Sequence, residues 1–113
     1  MRVACPPIVA PCFYGIDMST LGELFAPPFV RKGYDGRPDP KEMAKMAKRL
    51  GVTSLRYLSA DDLPTCTGID RRSLCTACVT AKYPTIWGKR LLDRARRALA
   101  RGQTGRTYEQ PNP

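Results

Sequence analysis

Eleven prolines and nine glycines punctuate a chain of 113 residues, and their placement leaves room for few regular elements. A proline lacks a backbone N–H and fixes φ, so it stops a strand and fits a helix only in its first turn. Pro6-Pro7 accordingly stops the extended run Arg2-Val3-Ala4-Cys5. Pro27-Pro28 stops a helix that starts near Thr20, where Glu23 three residues on completes a capping box. Pro64 breaks another that starts near Ser59.

The clearest helix is predicted over 40–50. Asp39 is its N-cap, Pro40 takes the first position, Glu42 the third, and Gly51 ends it. Met43, Met46, Ala47 and Leu50 form its apolar stripe. A second amphipathic helix is predicted over 88–101, with Leu91, Leu92, Ala95 and Leu99 on one side. Val52–Leu58 reads as a strand. The order strand, helix, helix, strand, helix, helix belongs to an α/β protein, but two strands make only an incomplete sheet, with the helices peripheral to it. The remaining strands are expected from outside this chain. Residues 102–113 read as a disordered tail.

Composition agrees with a thin core: aromatics are 8% and the mean hydropathy is −0.36. No apolar run approaches the roughly 20 residues that span a bilayer. The opening residues lack the basic and apolar blocks of a signal peptide. Five cysteines, an odd number, fit cytoplasmic thiols or metal ligands better than a secreted disulfide framework. Of the net charge of +9, eight basic residues and one acid lie between Lys82 and Arg106. Such a block can bind nucleic acid, but the solvated face of a terminal helix explains it equally, and nucleic acid is not expected as a partner.

Cys75-x-x-Cys78 is the strongest chemical signal, because two thiolates three residues apart can reach one metal or cluster iron. From spacing alone it can be half of a zinc site, half of a four-iron site, a redox dithiol or a pair of buried thiols. Zinc would have to recruit lone cysteines, since the chain has no histidine. Cys12, between Pro11 and Phe13-Tyr14-Gly15, is the next candidate. Cys5 and Cys66 read as small packed residues. Asp61-Asp62 followed by Thr65, Thr67 and Gly68 is reminiscent of a ribose-phosphate loop, but Pro64 removes an amide from the phosphate cradle. A helix start favoured by acids is the simpler account.

Two longer segments carry a family resemblance. Cys5-Pro6-Pro7-Ile8-Val9-Ala10-Pro11-Cys12-Phe13-Tyr14-Gly15-Ile16-Asp17 resembles the "PPI…PCFYGID" segment of the glutamine phosphoribosylpyrophosphate amidotransferase family. Cys75-Thr76-Ala77-Cys78-Val79-Thr80-Ala81-Lys82-Tyr83-Pro84 resembles its "CxxCFTGxYP", and Leu50-Gly51-Val52-Thr53-Ser54-Leu55 its "IGADSL" turn. The resemblance covers about residues 1–90. It implies the C-terminal part of a type I phosphoribosyltransferase domain (1–87), followed by a basic helix (88–101). It also implies a [4Fe–4S] cluster held by Cys12, Cys75 and Cys78, with a fourth ligand outside this chain. The family reaction converts glutamine and phosphoribosyl pyrophosphate to phosphoribosylamine, glutamate and pyrophosphate, the first committed step of purine biosynthesis. The glutaminase cysteine, the Mg2+ site and the acid-pair loop have no counterpart here, so no catalytic residue is assigned. The expected partners are the glutaminase domain and the upstream phosphoribosyltransferase part, in a homo-oligomer, with no membrane. The alternative is a small basic module that holds zinc on four thiolates or binds nucleic acid.

Overall fold

The structure is a computed structural model that describes residues 1–18 and 20–107. Its sheet has two parallel strands, β1 (Arg2–Val3) and β2 (Arg56–Tyr57), in the register Arg2 to Arg56 and Val3 to Tyr57. The amides of Arg56 and Leu58 donate to the carbonyls of Met1 and Val3 at 3.0 and 3.2 Å, and the terminal amine of Met1 reaches the Ser54 carbonyl at 2.7 Å. Both strands are much shorter than the runs 2–5 and 52–58 predicted. Each has a ladder partner on one side only, so nothing among the described residues holds the flanking residues extended. The fold is α/β, a small two-stranded parallel sheet with several helices.

Helix α1 (Pro40–Leu50) matches its prediction at both ends. Asp39 Oδ1 accepts from the Glu42 amide at 2.8 Å, and the Glu42 carboxylate returns the bond to the Asp39 amide at 2.9 Å. Gly51 ends the helix in the left-handed region at φ +69°, where a glycine has no Cβ penalty. Met43, Met46 and Ala47 are buried, but Leu50 is exposed and Glu42 is buried in its place on the inner side. Glu42 turns inward because the loop before it needs an anchor. It accepts from the Arg31 amide at 2.7 Å and pairs with the Arg31 guanidinium at 3.0 Å.

The helix expected at Thr20 is a single 3-10 turn, Leu21–Glu23, with the Thr20 amide donating to Glu23 Oε2 at 2.8 Å. Pro64 does not break the helix after Ser59. A 3-10 turn, Ala60–Asp62, passes directly into α2 (Leu63–Thr67), where proline sits in the first turn and its missing N–H has no carbonyl to satisfy. A further 3-10 turn, Arg71–Ser73, leads to α3 (Ala77–Thr80) and then α4 (Ile86–Ala100). On α4, Leu91, Leu92, Ala95 and Ala98 are buried while Leu99 is exposed, so the inner face is rotated slightly from the one predicted.

Two apolar clusters make the core. The larger gathers Val9, Tyr34, Met43, Met46, Ala47 and Leu55 beneath α1, and the smaller gathers Ala10, Ala77, Tyr83 and Leu92 beneath α3 and α4. Consecutive residues, Val9 and Ala10, enter opposite clusters, as neighbours on an extended backbone do. The loop at 33–38 packs against the Ala60 turn and α3. Gly36, at φ +93°, lies where a Cβ would come within 2.6 Å of the Ala60 Cβ and 3.1 Å of Thr80, and its carbonyl accepts from the Ala60 amide at 2.9 Å. Of the predicted tail, 102–107 form no helix or strand, with Thr107 buried and Arg106 paired to Asp17 at 3.1 Å. Residues 108–113 lie outside the described residues.

Candidate functional site

The two cysteine-bearing motifs, more than 60 residues apart in sequence, meet through the backbone. The amides of Val9 and Ala10 both donate to the carbonyl of Cys78, at 2.8 and 3.0 Å. The Pro11-Cys12-Phe13-Tyr14 loop is then gripped by side chains. The Tyr83 hydroxyl donates to the Pro11 carbonyl, the Phe13 ring lies 5.2 Å from that of Tyr83, and the Tyr14 hydroxyl bonds Thr85 Oγ1 at 2.8 Å. Thr85 is itself the N-cap of α4, accepting from the Gly88 amide at 3.0 Å. The residues Phe13, Tyr14, Tyr83 and Thr85 thus hold Cys12 against the turn that carries Cys75 and Cys78. Sequence reading named the cysteines and passed over these clamps, whose signal was their place inside the two resembling motifs.

Cys75 is exposed just before Thr76, the N-cap of α3; Cys78 lies within α3, half-buried, and Cys12 is half-buried as well. Burial pushes the Cys78 thiol above the ordinary range, and the neighbouring thiols of Cys12, Cys75 and Cys5 add to the rise while a backbone hydrogen bond opposes it. Cys5, set aside on sequence, therefore belongs to the same neighbourhood, whereas Cys66 has no part in it. The Tyr14 amide donates to Cys12 Sγ at 3.4 Å, the kind of N–H to sulfur contact that tunes thiolate ligands of iron–sulfur clusters. Among the described residues no group of three or more Cys, Asp or Glu stands in an arrangement ready to hold a metal ion. The thiols of Cys12, Cys75 and Cys5 lie within electrostatic reach of Cys78. Their chemistry fits a thiolate-bound metal or cluster, since soft sulfur donors are what such groups take.

The carbonyl-gripping turn has one strained residue. Ala81, the C-cap of α3, adopts φ +58° and ψ +19°, the left-handed region that costs a residue with a Cβ about 1 kcal/mol or more. It occupies the position of glycine in the resembling motif "CxxCFTGxYP".

The acid pair does not form a substrate loop. Asp62 accepts from the Ser59 amide at 3.3 Å, and Asp61 is paired with both Arg37 and Arg71. A separate open groove of about 740 Å3 runs between the Leu21–Glu23 turn and the end of α4, floored by Ala95, Ala98 and Leu99. Its lining contains no cysteine, and the buried side-chain polar atom without a partner among the described residues, the Tyr34 hydroxyl, does not line it. No helix among the described residues is long and apolar enough to cross a membrane.

Fold and site together define an α/β chain in which a two-stranded parallel sheet accompanies two cysteine segments joined through the backbone. Comparison with known proteins is specific. The chain is 42% identical over 85 residues to an amidophosphoribosyltransferase of Methanocaldococcus jannaschii, and 39% identical over 85 residues to that of Methanothermobacter thermautotrophicus. It is 36% identical over 84 residues to the amidophosphoribosyltransferase of Synechocystis. Each match covers about three-quarters of this chain but only 14–15% of the relative, so the chain spans about one-seventh of the length of the curated relatives it matches. The chain is homologous to a segment of amidophosphoribosyltransferase, the family its motifs resemble. No family model matches it, and no solved structure matches it.

Proposed function

We propose that this chain serves as the cluster-bearing segment of an amidophosphoribosyltransferase, completing a type I phosphoribosyltransferase domain whose other strands and substrate loops lie outside these 113 residues. The reaction of the whole assembly is glutamine plus phosphoribosyl pyrophosphate to phosphoribosylamine, glutamate and pyrophosphate. In this reading Cys12, Cys75 and Cys78 are thiolate ligands of a [4Fe–4S] cluster, and a fourth thiolate comes from the rest of the enzyme. The observation that carries the reading is the pair of hydrogen bonds from the Val9 and Ala10 amides to the Cys78 carbonyl, which joins the two motifs through the backbone. The cluster, when bound, supplies a covalent tie between segments distant in sequence. The residues of this chain orient the ligands: Tyr83 and Tyr14 fix the Cys12 loop, and the Tyr14 amide supports its sulfur. The unpaired edges of β1 and β2 are where the remaining strands of the sheet add. No group here is assigned to glutamine hydrolysis, to Mg2+ or to phosphoribosyl transfer, so the chain by itself is inactive.

Anaerobic reconstitution with ferrous iron and sulfide tests this. Broad absorbance near 400 nm, with iron and sulfide in near-equal amounts, is expected for the chain mixed with the missing part of the enzyme. It should be lost in Cys12→Ser, Cys75→Ser and Cys78→Ser and retained in Cys66→Ser. Stoichiometric zinc with no iron would instead favour a zinc site, and phosphoribosylamine formation by the chain alone would contradict the reading.

A further inference from the structure

The resemblance leaves the outer face of α4 without a role, and that face has an order that composition does not reveal. Trp87, Arg90, Arg94, Arg97 and Arg101 recur at steps of three and four, so they line up along one stripe of the helix. At 1.5 Å rise per residue the stripe is about 21 Å long, with successive side chains about 4.5–6 Å apart. Trp87 is 62% exposed at its head, and Arg90, Arg97 and Arg101 are exposed along it. Arg90 and Arg101 make no ion pair among the described residues; Asp93, the only acid on α4, borders the stripe three residues after Arg90 and four before Arg97, whose Nε donates to the Asp93 carbonyl at 3.3 Å.

We propose that this stripe is a binding surface for single-stranded nucleic acid, with backbone phosphates on the arginines and a base stacked on Trp87. Guanidinium groups present paired donors that match phosphate oxygens, which lysine does not. An exposed indole in line with a cationic track is the combination that holds single strands: charge follows the backbone and the aromatic face takes a base of any sequence. A membrane surface fits less well, because the apolar face of α4 is already buried under Leu91, Leu92, Ala95 and Ala98 and has nothing left to insert. An acidic peptide would use the arginines, but its carboxylates themselves do not stack on the exposed indole.

The chain has one tryptophan, so its own fluorescence reports the contact. Binding of the full chain to fluorescein-labelled oligouridylate and oligothymidylate is measured by anisotropy across a salt series, with Trp87 emission followed in parallel. Expected are quenching of Trp87 and a linear fall of log K with log salt, of slope about −0.7 per phosphate engaged. The triple variant Arg90→Gln, Arg97→Gln, Arg101→Gln should flatten that slope by about two. Trp87→Ala should weaken binding about tenfold and leave the slope unchanged. The comparison variant Lys41→Gln, Lys45→Gln, Lys48→Gln removes the same charge from the exposed side of α1 and should change the slope little. The proposal is overturned by unmoved Trp87 emission, by no binding at low salt, or by equal losses in the two triple variants. Tighter capture of a polyglutamate peptide or of phosphatidylserine vesicles than of either oligonucleotide also overturns it.

Discussion

At the scale of single residues, the chain carries its strain and its protonation at the same joint. Ala81 holds a left-handed backbone in the turn that presents Cys78, and a Cβ there costs energy that a glycine avoids. Ala81→Gly should therefore stabilise the chain by about 0.5–1 kcal/mol, read as a raised urea midpoint at constant m-value; part of the gain is offset by the methyl it removes from between the two clusters. Tyr34 and Tyr83 give a pH prediction. Burial, the largest cause at both, pushes each hydroxyl well above the ordinary tyrosine range. The folded chain then binds these protons more tightly than the unfolded one, whose tyrosines ionise near pH 10 (about the peptide value). Their contribution to stability is full below that pH and is lost as pH rises beyond it. Absorbance at 295 nm should show Tyr34 and Tyr83 ionising only as the circular dichroism signal collapses. Smooth titration of all five tyrosines with the fold intact would contradict this.

At the scale of elements, α1 shows what local chemistry can and cannot specify. Its cap, its first proline and its terminal glycine were all legible, because each acts on backbone within four residues of itself. The role of Glu42 was not. At the third helical position it closes the capping box, and it also anchors Arg31 through the Arg31 amide and guanidinium, a contact that depends on where the loop folds back. Glu42→Gln keeps the shape but removes the charge from these bonds. It should destabilise by about 1–3 kcal/mol, more than the roughly 1 kcal/mol expected for Asp39→Ala, which loses only the cap; thermal unfolding of both variants decides the order. The strands failed in the opposite direction. Residues 2–5 and 52–58 have strand-like composition, yet only two residues of each pair, because extended backbone stays extended only where a neighbour takes its hydrogen bonds.

At the scale of the whole molecule, the radius of gyration is 14.7 Å against about 13 Å for a compact domain of this length, as expected of a chain with two small clusters and long loops. The segment around Val9 and Ala10 is the seam between those clusters. Its amides are bonded to the Cys78 carbonyl although they sit in no helix or strand. Their hydrogen exchange should therefore be as slow as that of the Leu92 amide in α4, since releasing them requires separating the clusters. Exchange at the rate of open loop amides would show the seam to be loose. The sequence by itself determined the α/β class, the bounds of α1 and the family resemblance, because helix caps, periodicity and motif spacing are written in neighbouring residues. Only the tertiary structure decided that Cys5 lies within electrostatic reach of Cys78, that Tyr83, Tyr14 and Thr85 clamp the Cys12 loop, and that Arg90, Arg97 and Arg101 are exposed along with Trp87. Each of those depends on which distant segments share a surface, and that is settled by burial and backbone pairing across the whole chain.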